Sequence, residues 1–179
     1  MGCTRIETLL DMMDVAYRDD PFSSLIKNLQ SITPEEWVTR PATWSADEFG
    51  EDPELSICDL VLHIGGPKRM YANRAFGDAT LQWHTIPRPA ALDMESVFAW
   101  LAEGHRILHD GLAALADDSE LAVERVAHWG TPMPRERFVT IMISHDLYHS
   151  GEINRQRALI RGARGWDRDQ CIQNPEPGT

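Results

Sequence analysis

The chain has 179 residues, 42% of them hydrophobic, which suits one domain with a core of its own. Its formal net charge of -11 repels phosphate backbones and anionic membrane surfaces. No apolar run is long enough to span a bilayer. We therefore expect a small-molecule substrate, with neither nucleic acid nor membrane as a partner.

The cysteines and the first residues indicate the compartment. Cys3, Cys58 and Cys171 lack the spacing of a disulfide framework or a cysteine metal site, and their number is odd. No signal-peptide run follows the start of the sequence. We expect a cytoplasmic protein.

Five arginines cluster near the C-terminus and could form a local basic patch. They alternate with acids such as Glu152 and Asp167, which favours a solvated helix face instead. The arginines are Arg155, Arg157, Arg161, Arg164 and Arg168.

The first third of the chain predicts short helices and a connection. Apolar residues at three- and four-residue steps predict a helix from Arg5 to Tyr17, ended by Asp19-Asp20-Pro21. A short piece is predicted over Phe22 to Ile32, and Thr33-Pro34 then resembles an N-cap and first turn. The stretch from about Arg40 to Leu55 is predicted to be a long connection.

Three long helices follow. Ser56-Ile57-Cys58-Asp59 has capping-box spacing and opens a helix that reaches about Phe76. The next begins near Asp93 and stops around Asp117-Asp118, and the last opens with Thr131-Pro132 or Pro134 and runs to Gly162. Four long amphipathic segments predict an all-α fold, a single domain over residues 1–179 with a bundle at about 4–162 and a tail at about 163–179.

His145 and His149 are the most informative residues for function. At i and i+4 they share one face of the last helix, so they can bind one metal ion. Angular spacing places them, with Glu152 and Gln156, on the apolar stripe. Buried polar groups need partners, and a divalent ion would satisfy the imidazoles. Two core histidines with hydrogen bonds to other side chains are the structural alternative.

His63 could supply a third imidazole if its helix packs against the last one. Three histidines with a vacant coordination position describe a reactive metal rather than a structural one. Pro67, four residues later, cannot donate to the carbonyl of His63 and predicts a kink beyond the ligand, which would serve either a pocket or packing.

His105 and His109 form a rival pair with the same i, i+4 spacing on the third long helix. By spacing alone the two pairs are nearly indistinguishable. The pair on the last helix is favoured because Glu152 and Gln156 continue its polar line.

The sequence around these histidines is similar to one known family. His63 in Val-Leu-His-Ile after a Ser-Ile helix start, followed by His-Asp-Leu-Tyr-His-Ser-Gly-Glu-Ile, resembles the DinB-like superfamily from about Thr4 to Arg161. That superfamily includes thiol-dependent S-transferases and maleylpyruvate isomerases. The resemblance implies a four-helix bundle with a long crossover connection and a metal held by His63, His145 and His149.

The resemblance also implies a reaction. A divalent ion, zinc, nickel or iron, with a low-molecular-weight thiol as cosubstrate, would support an S-transferase, isomerase or hydrolase activity. The candidates for orienting the substrate in the pocket are Tyr71, Arg74 and His105.

Two other hypotheses stay open. One is a non-catalytic metal-binding bundle that acts as a stress or interaction protein, with a homodimer interface on exposed faces rich in Trp37, Trp44 and Trp83. The other is a plain bundle without metal. Metal content and an open coordination position separate the three.

Overall fold

The structure is a computed structural model that describes residues 4–40 and 55–162. The α-helices are α1 (Thr4–Asp14), α2 (Leu25–Leu29), α3 (Pro34–Val38), α4 (Ile57–Phe76), α5 (Met94–Ala113) and α6 (Arg135–Ile160). Strands β1 (Glu124–Val126) and β2 (Pro132–Pro134) pair antiparallel. A π-helical turn spans Val15–Asp19, and 3₁₀ turns span Trp83–Thr85 and Asp118–Ala122. The predicted all-α class is confirmed.

Helices α1, α4, α5 and α6 form a bundle in which α1 and α4 each pack against both α5 and α6. Contacts between α4 and α5 advance in the same direction along both helices, from Gly65 against Trp100 to Phe76 against Gly111. These two helices are therefore parallel neighbours. Parallel neighbours need a crossover, and residues 77–93 provide the long connection that the resemblance implies.

Helix α6 runs antiparallel to α4. The Gln156 side chain donates from Nε2 to the carbonyl of Leu55 at 2.9 Å near one end of the pair. Arg135 donates from Nε to the carbonyl of Ala75 at 3.0 Å near the other end. This alignment brings the middle of α6, with His145 and His149, level with the first half of α4.

Several predicted helix starts are confirmed because the capping signal is local. Thr33 and Glu36 form a reciprocal capping box at α3, and Ser56 and Asp59 form one at α4. The Asp93 side chain accepts from Ser96 N–H and caps α5. The first residue of α4 is thereby defined, and with it the position of His63 on that helix.

The predicted start of α6 holds in one of its two alternatives, and the predicted end of α5 is wrong. Helix α6 begins at Arg135 with Pro134 as its N-cap, which fits the Pro134 alternative and not Thr131-Pro132. Residues 132–134 form β2, and the hairpin closes through the Ala127 N–H to Thr131 carbonyl bond. The fixed φ of proline fits an extended strand as well as a first helical turn. Helix α5 ends at Ala113, before Asp117, whose side chain accepts from Ser119 N–H and caps a 3₁₀ turn.

Two predicted exposures are also wrong. Arg157 does not lie on a solvated face: it is buried, and its Nε is 3.2 Å from a carboxylate oxygen of buried Glu36. Trp37 is buried too, and its indole N–H donates to the carbonyl of Leu92 at 2.9 Å. It therefore cannot contribute to an exposed interface.

Other predictions fall on residues 41–54 and 163–179, outside the described ranges. They concern most of the predicted connection, the C-terminal tail, and Trp44, Arg164, Arg168 and Cys171. In residues 4–40 and 55–162, none of the helices has the length and apolar character needed to cross a membrane.

Candidate metal centre

Two antiparallel helices bring three imidazoles together. His145 and His149 lie one turn apart on α6, and His63 lies opposite them on α4. The Nε2 atom of His145 is 3.3 Å from Nε2 of His63 and 3.1 Å from Nε2 of His149. The possible ligand atoms of the three histidines all lie within 4.8 Å of one another. In the described ranges, no other group of three histidine, cysteine or acidic side chains meets this condition.

The spacing of these nitrogens fits a metal ion. A tetrahedral ion bound by imidazoles at about 2.0–2.1 Å holds pairs of nitrogens about 3.3–3.4 Å apart. The two Nε2 separations given above lie at or slightly below that value. The three histidines could therefore bind one ion without large movements of the two helices.

The surroundings of His145 and His63 favour the neutral imidazole, the form that binds a metal. Burial, His149, His63 and Lys68 together lower the pKa of His145 to about 3. Burial and His149 also lower the pKa of His63. A neutral imidazole carries a lone pair on one ring nitrogen, and that lone pair is available to a cation.

Glu152 fixes the orientation of one ligand. The Nδ1 atom of His149 lies 2.6 Å from Oε2 of Glu152, one turn further along α6. A carboxylate that accepts from Nδ1–H leaves the Nε2 lone pair free for a metal. The corresponding Nδ1 of His145 is buried and has no hydrogen-bond partner among the described residues.

Two exposed aromatic side chains border the three histidines. The Trp83 ring meets the His63 ring edge-on at 5.9 Å between centroids, and the Tyr148 ring meets the His149 ring at 4.9 Å. Trp83 reaches this position from its 3₁₀ turn because Gly66 carries no side chain: a Cβ there would lie 3.3 Å from the indole. The metal position therefore has apolar ring surface beside it.

The rival histidines lie elsewhere. His105 is buried and stacks on Tyr17, with ring centroids 3.7 Å apart. Both His105 and His109 have Nε2 3.7 Å from a carboxylate oxygen of Asp14. These side chains therefore face α1 and its π-helical continuation, apart from the cluster of His63, His145 and His149.

The other pocket candidates are held by the β-hairpin side of the bundle. The Tyr71 ring packs edge-on against Phe138 and His128. Arg74 donates to the carbonyls of Leu81 and Val126. The roles of Tyr71, Arg74 and His105 toward a substrate stay predictions.

Sequence reasoning missed Lys68 and Asp146, which form a buried ion pair close to the histidines. Both side chains are almost fully buried in the interior of the bundle. Nothing local signals the pair, because its members are 78 residues apart. The role of Trp83 beside His63 was missed for the same reason.

A helical bundle in which antiparallel helices present inward-facing ligands is a common scaffold for metal sites. The DinB superfamily matches residues 22–153, most of the chain and all three histidines of the cluster. The chain therefore belongs to the DinB superfamily. A comparison with curated proteins gave no match.

Proposed function

We propose that this protein is a metal-dependent enzyme, with a divalent ion held by His63, His145 and His149 and a low-molecular-weight thiol as cosubstrate. The observation that supports it best is the convergence of three Nε2 atoms with separations of 3.1 and 3.3 Å. Three protein ligands leave a coordination position for a substrate, as in catalytic rather than structural sites. The reaction class that we favour is S-transfer or isomerisation.

The bound ion supplies one kind of chemistry: it lowers the pKa of a thiol or water in the remaining position, so that a nucleophile exists near neutral pH. In S-transfer the thiol sulfur forms a bond to an electrophilic carbon. The leaving group departs with its bonding electrons, and solvent takes the thiol proton. Three neutral imidazoles leave the charge of the ion undiminished, which favours this deprotonation.

Other side chains of the site have defined tasks in this proposal. Glu152 holds the Nδ1 proton of His149 and thereby keeps its Nε2 aimed into the cluster. Trp83 and Tyr148 limit access of water beside the histidines and offer ring surface to an apolar part of the substrate. Imidazole ligands suit zinc, nickel and iron, so the metal is left open among these three.

Metal content is the first test. Protein purified without a histidine tag is expected to carry close to one equivalent of a divalent metal by elemental analysis. His145→Ala and His149→Ala should each abolish it, because two imidazoles bind far more weakly than three. His109→Ala is the matched control, since its side chain lies by Asp14, and it should keep the metal.

Thiol binding is the second test. A cobalt-substituted protein should change its visible spectrum when glutathione, bacillithiol, mycothiol or coenzyme A binds, because sulfur is a strong charge-transfer donor. A spectrum that none of these thiols changes would exclude them as cosubstrates. A metal site closed by a fourth protein ligand would instead support the non-catalytic binding protein.

A further inference from the structure

Lys68 and Asp146 form a buried ion pair beside the candidate metal centre. The Nζ atom of Lys68 lies 2.5 Å from Oδ2 of Asp146, and the side chains are 1% and 3% exposed. Lys68 follows His63 by five residues on α4, and Asp146 follows His145 directly on α6. The pair therefore joins the two ligand-bearing helices at the level of the ligands.

The pair lies in the interior of the bundle, next to Tyr17. Lys68 sits over the ring of Tyr17, with Nζ 5.4 Å from its centroid, and Tyr17 stacks on His105. The second carboxylate oxygen of Asp146 has no hydrogen-bond partner among the described residues. Tyr17 belongs to the π-helical turn, a type of distortion that is frequent at functional sites.

Stability alone does not account for these charges. Removing a lysine and an aspartate from water costs several kcal/mol per ion, and apolar side chains of similar volume are often as stabilising or more so. No described residue donates a hydrogen bond to the second carboxylate oxygen of Asp146, so within that part of the chain the cost of burial is only partly offset. What a buried ion pair adds is direction, because its charges are compensated only while the two helices keep them in contact.

A metal site shared by two helices needs a fixed alignment of one helix against the other. Catalytic and binding groups must be held within about 0.5 Å of their working geometry, whereas a slip of one residue along a helix moves a side chain by about 1.5 Å. The links from Gln156 to Leu55 and from Arg135 to Ala75 tie the ends of α4 and α6. Lys68 and Asp146 form the link nearest to His63 and His145.

We propose that Lys68 and Asp146 are positioning residues for the metal site: their ion pair sets the axial alignment of α4 against α6, so that His63 meets His145 and His149. This inference rests on the proposed metal-binding function. It predicts that metal affinity depends on the directional link between the two side chains and not on the stability of the fold.

Two variants separate affinity from stability. Lys68→Met/Asp146→Leu removes both charges at similar volume, so the urea midpoint of the metal-free protein should stay near that of the wild type or rise. Its dissociation constant for cobalt should rise about 10- to 100-fold, with an altered d–d spectrum. Asp146→Asn keeps an oxygen that accepts from Lys68 but leaves the ammonium uncompensated, so its urea midpoint should fall. The uncompensated charge also repels a cation beside His145, so its cobalt affinity should fall too, but its d–d spectrum should stay that of the wild type because the link between the helices is kept.

Glu36 and Arg157 provide the matched control. They are a second buried ion pair, between α3 and α6, away from the histidine cluster. Glu36→Leu/Arg157→Met should change the cobalt dissociation constant by no more than about twofold, since distant sites act independently.

The outcomes are distinct. Wild-type cobalt affinity and spectrum in Lys68→Met/Asp146→Leu, or an altered d–d spectrum in Asp146→Asn, would overturn the positioning role alone. The Asp146→Asn result decides the matter if the double variant does not fold. A wild-type protein that binds no cobalt would overturn both this inference and the proposed function.

Discussion

Glu152 and His149 are coupled one turn apart on α6, with Oε2 of the carboxylate 2.6 Å from Nδ1 of the imidazole. The contact leaves Nε2 of His149 available to a metal ion, 3.1 Å from Nε2 of His145. A surface carboxylate at the same spacing would contribute little. Here a carboxylate beside Nδ1 favours the tautomer with its proton on that nitrogen.

We predict that Glu152→Ala raises the dissociation constant for zinc by about 10- to 100-fold, because the orienting acceptor is lost. Competition with a chromophoric chelator measures it. Glu103→Ala, which removes an exposed partner of Arg106 on α5, is the control and should bind zinc as the wild type does. Equal affinities in the two variants would show that Glu152 does not support the site.

Chelation of the metal should lower the melting temperature and leave the helical circular dichroism in place. Ligand at about 100 times its dissociation constant contributes roughly 2.7 kcal/mol to stability by linkage. The bundle buries a core of its own, around residues such as Phe138 and Leu108, so it should remain folded without metal. Unfolding on addition of chelator would contradict this.

The buried His105 should make the metal-free protein sensitive to acid. Burial and Lys68 lower its pKa from the ordinary 6.5 to about 3, so between these values the unfolded chain binds a proton that the folded chain does not. The titration of His105 therefore leaves the free energy of unfolding unchanged above pH 6.5. Below pH 6.5 it lowers that free energy by up to about 1.4 kcal/mol per pH unit, until the pH reaches about 3.

His105→Phe tests this sensitivity. Phenylalanine can keep the stacking on Tyr17 but cannot titrate, so the urea midpoint of the variant should fall less steeply from pH 6.5 to pH 4. Both proteins are compared in chelator, so that metal release does not contribute. Parallel acid limbs would mean that His105 is not the group responsible.

Gly65 and Gly151 should respond in opposite ways to alanine. A Cβ at Gly65 would overlap the Trp100 ring, which is fixed by its N–H bond to the carbonyl of Pro87. We expect Gly65→Ala to destabilise by about 1–3 kcal/mol. At Gly151 no atom lies within 4 Å of an added Cβ, so Gly151→Ala should stabilise by about 0.5–1 kcal/mol. Urea titration of both variants measures the difference.

The features that were predicted correctly from the sequence depend on residues that are close together along the chain. The caps at Thr33 and Ser56 were predicted because a capping box is complete within four residues. The pairing of His145 with His149 needed only helical periodicity. The start of α6 was ambiguous because Pro132 and Pro134 suit both a strand and a first helical turn.

The rest depended on contacts between distant parts of the chain. Arg157 looked solvated because acids alternate with arginines nearby, yet its partner Glu36 is 121 residues away. The prediction that His63 lies beside His145 and His149 came from the family resemblance. The spacing of residues along the chain does not determine which helices pack together.

The separation of His63 and His145 along the chain has a kinetic consequence. The two are 82 residues apart, so a shared metal ion would close a large loop and act as a reversible cross-link. Such a cross-link forms only after the bundle has brought both histidines together. Metal is therefore expected to slow the unfolding of this protein while leaving its folding rate nearly unchanged.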